Sequence, residues 1–200
     1  PGIDADDAAI DDAGDARLAA VGDGDEMRVT APAGTDITFE IGGREWISDT
    51  GVVHSPGTFS NLPAGEVFVA PEAATGTYVV DGTMMPHGLL DSDERLAFEV
   101  EDGLVTAIED DAVRADVEAA AETVGDAAYN LAELGIGTNV GVDELVGSVL
   151  LDEKAAGTVH IAIGDNAGIG GETDAPLHLD GIVRDPTVYA DGEPVELPTP

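Results

Sequence analysis

The sequence contains no cysteine, few basic residues and no long apolar run. Without cysteine the chain can form neither a disulfide nor a thiolate metal site, so any metal must be held by histidine, carboxylate or backbone oxygen. Seven basic residues stand against 42 acidic ones, which makes nucleic acid and anionic membranes poor partners. No apolar run is long enough to cross a bilayer, and no basic segment followed by an apolar one marks a secretion signal. We therefore expect a cytoplasmic protein without nucleic-acid or membrane partners.

The formal net charge is −35, and the acidic residues are interleaved with apolar ones along the whole chain. A disordered acidic tail would instead gather its charge into one segment with few apolar residues. So dense an acidic surface repels itself, but in about 1 M salt the Debye length falls to roughly 3 Å and most of the repulsion is screened. Because 43% of the residues are hydrophobic, the chain can also build a core. The composition predicts a folded protein of halophilic type.

Strand patterns dominate the first half of the chain. Apolar and polar residues alternate from 36 to 41, and Gly42-Gly43 is a two-residue turn that predicts a hairpin with residues 44–47. Further strands are predicted at 67–70, 78–80, 96–100, 104–108 and 157–163, with hairpin turns at Asp102-Gly103 and Asp191-Gly192.

One long amphipathic helix is predicted from about 111 to 134, because apolar residues recur there at intervals of three to four, and Gly135 would end it. A second, shorter helix is predicted from 142 to 151. Residues 1–26 are rich in Asp, Ala and Gly and are predicted to form a helix or an acidic linker ahead of a domain from 27 to 200. Since strands surround the helices without βαβ alternation, the fold class is α+β, with a mainly antiparallel or mixed sheet or a barrel-like core.

The four histidines are the first place to look for a metal site. His160 lies within a strand pattern, where a lone imidazole is more often a hydrogen-bonded core residue than a ligand. His178 and Asp180 are two residues apart in another strand pattern, so they project from one face and could share a metal. Asp180 could instead orient His178 by a hydrogen bond. His54 and His87 lie in loops containing Gly and Pro and are predicted to have no ligand role.

Two glutamates lie where a carboxylate is costly. Glu66 follows the turn-like residues NLPAG and opens an apolar strand, and Glu133 falls in the last turn of the predicted helix, at the negative end of its dipole. A bound divalent cation would turn such carboxylates into favourable ligands. The candidate ligands are therefore Glu66, Glu133, His160, His178 and Asp180.

Four motifs carry a family resemblance: NLPAGEVF, ELGIGTN, LDEKAAGTVHIAIG and LHLD. In this order they resemble the M29 family of metallo-aminopeptidases, the aminopeptidase T or leucyl aminopeptidase group, and APAGTDITFEIGGREW is similar to the β-rich opening of its catalytic portion. The resemblance implies that residues 27–200 form the C-terminal catalytic domain of a homodimer that removes N-terminal residues from peptides. It also implies two divalent metal ions, held at the positions matching Glu66, Glu133, His160, His178 and Asp180.

The chain departs from the M29 pattern in two respects. The resemblance covers the catalytic portion only, without the N-terminal α/β domain. Where better-known members place a tyrosine near the metals, GDNAGIGGETDAP offers none, and Asp165 or Asn166 is the nearest replacement. Glu153 and Lys154 match the DEK motif of the family and are expected to support the site from beside His160, although an ordinary ion pair explains them equally well.

The resulting hypothesis is a metallo-exopeptidase in which two zinc, cobalt or manganese ions activate a shared water. Glu133, and after it Glu66, is the expected catalytic carboxylate that transfers the proton. Two alternatives stay open. A truncated or non-catalytic domain of the same fold would bind metal without turnover. A mononuclear iron dioxygenase acting on a dihydroxypyridine, a group that resembles the same family, would use two histidines and one carboxylate, with His160, His178 and Asp180 as the candidate triad. It would leave Glu66 and Glu133 as spare buried acids, which the two-metal hypothesis employs.

Overall fold

The computed structural model describes residues 7–22, 24–51 and 62–199, in which fourteen strands form two sheets. In chain order the strands are β1 (Glu26–Thr30), β2 (Asp36–Glu40), β3 (Ile47–Asp49), β4 (Glu66–Val69), β5 (Ala73–Val80), β6 (Thr83–Met84), β7 (Gly88–Leu89), β8 (Leu96–Glu101), β9 (Leu104–Ile108), β10 (Leu131–Gly137), β11 (Val159–Gly164), β12 (His178–Val183), β13 (Thr187–Ala190) and β14 (Glu193–Val195). The α-helices are α1 (Asp7–Val21), α2 (Asp111–Val124) and α3 (Val149–Asp152).

Both sheets have seven strands. The first sheet has the order β14-β13-β1-β2-β5-β8-β9, and the second has the order β3-β4-β10-β11-β12-β6-β7. Every pair of neighbouring strands in the two sheets is antiparallel. The predicted α+β class with a mainly antiparallel sheet is confirmed. Within the described residues neither sheet closes on itself, so the barrel-like alternative is wrong.

The two sheets share one apolar core. In β2 the buried residues Ile37 and Phe39 alternate with less buried polar ones, as a period of two residues requires. Tyr78 of β5 stacks on Phe98 of β8, with ring centroids 4.5 Å apart, and Ile161 of the second sheet belongs to the same buried cluster. Strands β10 and β11 are buried along their whole length, so their sequences show no alternation of apolar and polar residues.

The long helix is shorter than the sequence predicts. Helix α2 ends at Val124, because Gly125 adopts a φ of 62° that stops a right-handed helix. Glu133 therefore lies in β10 and not in a final helical turn, and the prediction of a helix to residue 134 is wrong. The helical spacing of apolar residues continues past Gly125 because a fully buried strand is apolar at nearly every position. Intervals of three to four residues therefore also fall on apolar residues there.

The predicted hairpin at Gly42-Gly43 is also wrong. The two glycines make a turn with φ values of 60° and 82°, but the chain then leaves the first sheet. Strand β3 pairs with β4 in the second sheet, with Ile47 opposite Phe68. A turn sequence fixes the local chain reversal, whereas burial against the core decides which strand becomes the partner.

The predicted helix from 142 to 151 is reduced to α3. Gly147 has a φ of 84° and stops a helix from starting earlier. Asp152 is fully buried and accepts hydrogen bonds from the backbone N–H groups of Val146 and Gly147 at 2.9 and 2.8 Å. The segment before α3 is thus held as a loop by a carboxylate.

The N-terminal segment forms a helix over most of its length. Ile10 and Val21 of α1 are buried, and α1 packs against β3 and β4. This decides between the helix and linker alternatives for residues 7–21, whereas the proposed domain boundary at residue 26 stays a prediction. No helix in the described parts of the chain is both long enough and apolar enough to cross a membrane.

The other two hairpins are confirmed. Strands β8 and β9 pair around Asp102-Gly103, and β13 and β14 pair around Asp191-Gly192. Both aspartates have a positive φ, 50° and 48°, as the tight turns that join hairpin strands require.

We expect Asp110→Ala to lower the free energy of unfolding by about 1 kcal/mol, because Asp110 caps α2. Its Oδ1 accepts hydrogen bonds from the backbone N–H groups of Ala112 and Val113 at 3.0 and 2.9 Å. Burial raises the pKa of Asp110, but hydrogen bonds from His87 and the two amides outweigh burial and lower the pKa overall. A lowered folded-state pKa contributes stability above the pKa of the unfolded state, and this contribution is lost as the pH falls.

The measurement is urea unfolding in high salt at neutral and acidic pH, with Asp116→Ala as the control. Asp116 is exposed in the same helix, so its substitution changes the net charge equally without removing a cap. Equal stability of the two variants at neutral pH would contradict the capping role.

Candidate metal centre

Four neighbouring strands of the second sheet, β4, β10, β11 and β12, bring together every candidate ligand that the sequence singled out. The antiparallel register sets Glu133 opposite Ala162, and Ala162 opposite Asp180. The small Ala162 therefore lies between two carboxylates on one face of the sheet. In chain order the assembled residues are Glu66, Glu133, His160, His178 and Asp180.

Glu133 lies at the centre of this cluster. Its Oε1 is 3.1 Å from Nε2 of His160, and its Oε2 is 3.4 Å from Nε2 of His178. Nε2 of His160 is also 3.4 Å from Oε2 of Glu66, and Nε2 of His178 is 3.4 Å from Oδ1 of Asp180. Two groups of three donors result, Glu66–Glu133–His160 and Glu133–His178–Asp180, and within each group the ligand atoms lie within 4.8 Å of one another.

Gly135 allows His160 to reach this cluster. The two residues lie directly opposite each other in β10 and β11. A Cβ atom on Gly135 would lie 1.9 Å from Nε2 of His160, so any other residue would displace the imidazole. The prediction that Gly135 ends a helix is wrong, because Gly135 lies inside β10. The available signal was a glycine inside an apolar strand, which often marks a close approach.

Hydrogen bonding determines which nitrogen of His178 carries the proton. Its Nδ1 is 2.7 Å from the backbone oxygen of Asp165, and a carbonyl oxygen can only accept, so Nδ1 is the donor. In the neutral ring Nε2 then carries a lone pair. This lone pair faces the carboxylates of Glu133 and Asp180. The three acceptors repel one another unless a proton or a metal cation lies among them.

The carboxylates of the cluster favour the protonated forms of both histidines. Burial lowers the pKa of His178, but hydrogen bonds and the charges of Asp180 and Glu133 raise it to about 11. Burial also lowers the pKa of His160, which Glu133 and Glu66 raise to about 9. For Glu66, burial is the largest cause and raises the pKa to about 7 against the attraction of His160. A bound metal would replace these protons, since ligands must be deprotonated.

The donor atoms fit a divalent metal ion. Within the described chain, Oε2 of Glu66 is buried and has no hydrogen-bond partner, although buried polar atoms normally have one. This atom faces Nε2 of His160. Imidazole nitrogens combined with carboxylate oxygens suit zinc, manganese and non-haem ferrous iron. The structure therefore contains a metal-binding cluster.

Lys154 holds the other oxygen of Glu66. Its side chain is fully buried, and Nζ donates hydrogen bonds to Oε1 of Glu66 and, at 2.6 Å, to Oε1 of Glu153. Because Lys154 engages Oε1 of Glu66, Oε2 is left for the cluster. The pair predicted to support the site thus acts through Glu66.

Asp165 and Asn166, the proposed replacements for a tyrosine, accept hydrogen bonds from the loop that follows them, and Nδ2 of Asn166 also donates to the backbone oxygen of Ala132 in β10 at 3.4 Å. Oδ1 of Asp165 accepts from the backbone N–H of Ala175 at 3.2 Å, and Oδ1 of Asn166 accepts from that of Thr173 at 2.9 Å. Asp165 serves the cluster through its backbone oxygen, a contact that side-chain patterns cannot indicate.

His87 contributes no donor to the described cluster. Nε2 of His87 is 2.9 Å from Oδ1 of Asp110 at the start of α2, away from the metal-binding donors. His54 lies outside the described residues. That neither His87 nor His54 is a ligand stays a prediction.

A cavity of about 210 Å³ opens onto the cluster. It is lined by Glu66, Phe68, Glu133, Glu153, Ile169, His178 and Asp180. A larger cavity, of about 600 Å³, is lined by other residues, among them Val142, Thr158 and Arg184, and by no member of the cluster. We place the chemistry in the smaller cavity, because convergent polar groups and perturbed pKa values are what mark a site.

Comparison with known proteins decides the family. Residues 7–197 match the family model of NicX, 2,5-dihydroxypyridine 5,6-dioxygenase. The chain belongs to the NicX family. A 2,5-dihydroxypyridine 5,6-dioxygenase from Pseudomonas putida is 26% identical over an alignment of 183 residues, and the match covers 86% of this chain and 52% of that protein. The chain thus spans about half the length of this NicX relative.

Two solved structures share the fold. The 2,5-dihydroxypyridine dioxygenase of Pseudomonas putida KT2440 superposes with a TM-score of 0.77 at 24% identity, covering 95% of this chain and 58% of that one. AmpT from Thermus thermophilus, an M29 aminopeptidase, superposes with a TM-score of 0.69 at 22% identity, covering 94% of this chain and 53% of that one. At these identities both likenesses show the fold alone.

Membership of the NicX family overturns the aminopeptidase assignment. The M29 family, the metallo-exopeptidase activity and peptide hydrolysis are wrong predictions, since the sequence match is to a dioxygenase family and AmpT shares only the fold. The proton-transfer roles of Glu133 and Glu66 belonged to that reaction and lose their basis with it. What remains of the cofactor prediction is a metal-binding cluster. The homodimer and the cytoplasmic location stay predictions.

We expect Gly135→Ala to weaken metal binding by about 10- to 100-fold, the range found when groups that orient metal ligands are changed. The new methyl group would occupy the space of the His160 imidazole. Chelator competition with ferrous iron under nitrogen measures the affinity, and circular dichroism checks the fold.

Gly168→Ala is the matched control, because a Cβ atom there meets nothing within 4 Å. It should bind iron as the wild type does. Unchanged iron affinity in Gly135→Ala would show that His160 is not a ligand.

Proposed function

We propose that this chain binds one ferrous ion and forms the metal site of a dioxygenase that opens the ring of a dihydroxypyridine. Membership of the NicX family supports the reaction class. The observation that carries the proposal is the orientation of His178. Its Nδ1 donates to the carbonyl of Asp165, so its Nε2 lies between Glu133 and Asp180 and can offer a lone pair there once its proton is displaced.

The proposed iron ligands are His160, His178 and Asp180, two imidazoles and one carboxylate. They come from both donor groups of the cluster, which Glu133 joins by facing each imidazole with a different oxygen. Glu133 thereby holds the two rings towards each other, and Glu66 faces His160 from the other side. An iron ion held by these residues would supply the redox chemistry that insertion of dioxygen requires.

The cavity suits one aromatic ring. Its volume is about 210 Å³, and an apolar cavity of about 150 Å³ is enough to admit benzene. Phe68 and Ile169 supply apolar walls beside the cluster, where they can contact the faces of a flat ring. Phe68 is two residues from Glu66 in β4, so both side chains lie on the face of the strand that carries the cluster.

We expect the protein, loaded with ferrous iron under nitrogen in high salt, to hold one iron per chain. With air admitted it should consume one dioxygen for each 2,5-dihydroxypyridine, measured by an oxygen electrode and by loss of the pyridine absorbance. His178→Ala should lower kcat/KM by at least about a hundredfold, because a lost ligand costs more than a lost orienting group.

His87→Ala is the matched control, since His87 pairs with Asp110 and not with the cluster. It should keep wild-type activity. Two bound metals per chain, or amino-acid release from an aminoacyl amide, would contradict the proposal. One bound iron without turnover of the pyridine would assign this chain a metal-binding role only.

A further inference from the structure

Glu153 is a buried carboxylate that the metal cluster does not use. It is only 9% exposed and lines the 210 Å³ cavity together with members of the cluster. It belongs to neither group of metal-binding donors. A buried carboxylate outside the metal set needs its own partners, because an unpaired one is costly.

Lys154 supplies one of these partners. Its ammonium donates to Oε1 of Glu153 at 2.6 Å and, on its other side, to Oε1 of Glu66. Within the described chain the structure gives Oε2 of Glu153 no donor, so Oε2 still has acceptor capacity at the cavity. Lys154 also offsets negative charge at a site where Glu66, Glu133 and Asp180 would otherwise repel an electron-rich ring.

We propose that Glu153 is the residue that anchors the substrate, with Oε2 accepting a hydrogen bond from an O–H or N–H donor on the ring. Lys154 is the positioning residue, because its ammonium fixes the carboxylate and leaves one oxygen towards the cavity. The ligand class is a neutral heteroaromatic ring with a donor on the side away from the metal. This inference rests on the proposed function, since a dihydroxypyridine carries such a donor in its 2-hydroxyl group or in the tautomeric ring N–H.

The test compares two rings on the iron-loaded full chain under nitrogen, where binding occurs without turnover. The probes are 2,5-dihydroxypyridine and 3-hydroxypyridine, which lacks the hydroxyl group next to the ring nitrogen. Hydrogen bonds to charged groups are worth enough to change affinity by about 10- to 100-fold. We expect the wild type to bind the dihydroxypyridine tighter by that factor, as measured by titration calorimetry.

Glu153→Gln should remove this preference. The ammonium of Lys154 can only donate hydrogen bonds, so it will bond to the oxygen of the new amide group. The amide NH₂ then faces the cavity, where it opposes the hydrogen-bond donor of the ring. The Kd of 2,5-dihydroxypyridine should rise at least about tenfold, while that of 3-hydroxypyridine and the iron content stay unchanged. Glu172→Gln is the control, because Glu172 is exposed in the loop before β12.

The possible outcomes separate this inference from the proposed function. Equal affinities of the wild type and Glu153→Gln for the dihydroxypyridine would overturn the anchoring role, even if turnover is observed. Loss of iron from Glu153→Gln would overturn it as well, by placing Glu153 in the metal site. Tight, Glu153-dependent binding without turnover would support the anchor and contradict the dioxygenase activity. If the wild type shows no preference between the two rings, the anchor is overturned without any variant.

Discussion

The site depends on one constraint: buried acceptors that face one another need positive charge between them. Nε2 of His178 points at Glu133 and Asp180, and this arrangement is stable only with a proton or a metal in between. The surrounding residues serve that constraint. Gly135 clears the space for one imidazole, and the backbone oxygen of Asp165 sets the tautomer of the other. The second sheet supplies the rigid frame, because its central strands are fully buried.

The surface and the interior of this chain use acidic residues in opposite ways. On the surface, a net charge of −35 is tolerated because salt screens exposed charges. Salt ions do not enter the protein interior, so each buried carboxylate needs a specific partner. Asp152 accepts hydrogen bonds from backbone amides, Glu153 accepts one from Lys154, and Glu133 contacts two imidazoles. The net charge thus relates to the salt content of the solvent, whereas the buried carboxylates relate to the chemistry of the site.

Sequence patterns predicted the fold class and the donors that lie together in the cluster, but not all of the elements around them. The spacing of two residues placed His178 and Asp180 on one face, because successive side chains of a β-strand point to opposite faces of the sheet. Glu133 was selected through a final helical turn that is absent, because α2 ends at Val124 and a fully buried strand shows no alternation of apolar and polar residues. The family was misjudged for a physical reason: the NicX dioxygenase and AmpT structures share this fold, so a resemblance that follows the fold does not separate the two families. The pairing of β3 with β4 and the contact between the Asp165 carbonyl and His178 depend on tertiary packing. A pattern along the sequence does not contain that information.

Lys154 is the only lysine of the sequence, and its side chain is fully buried between two glutamates. The folded chain therefore offers no lysine amine to reagents in solution. Acylating labels and amine cross-linkers can reach Lys154 only when the sheet that carries the metal cluster opens. Covalent tagging at this single position would then report how often the interior of the site meets water.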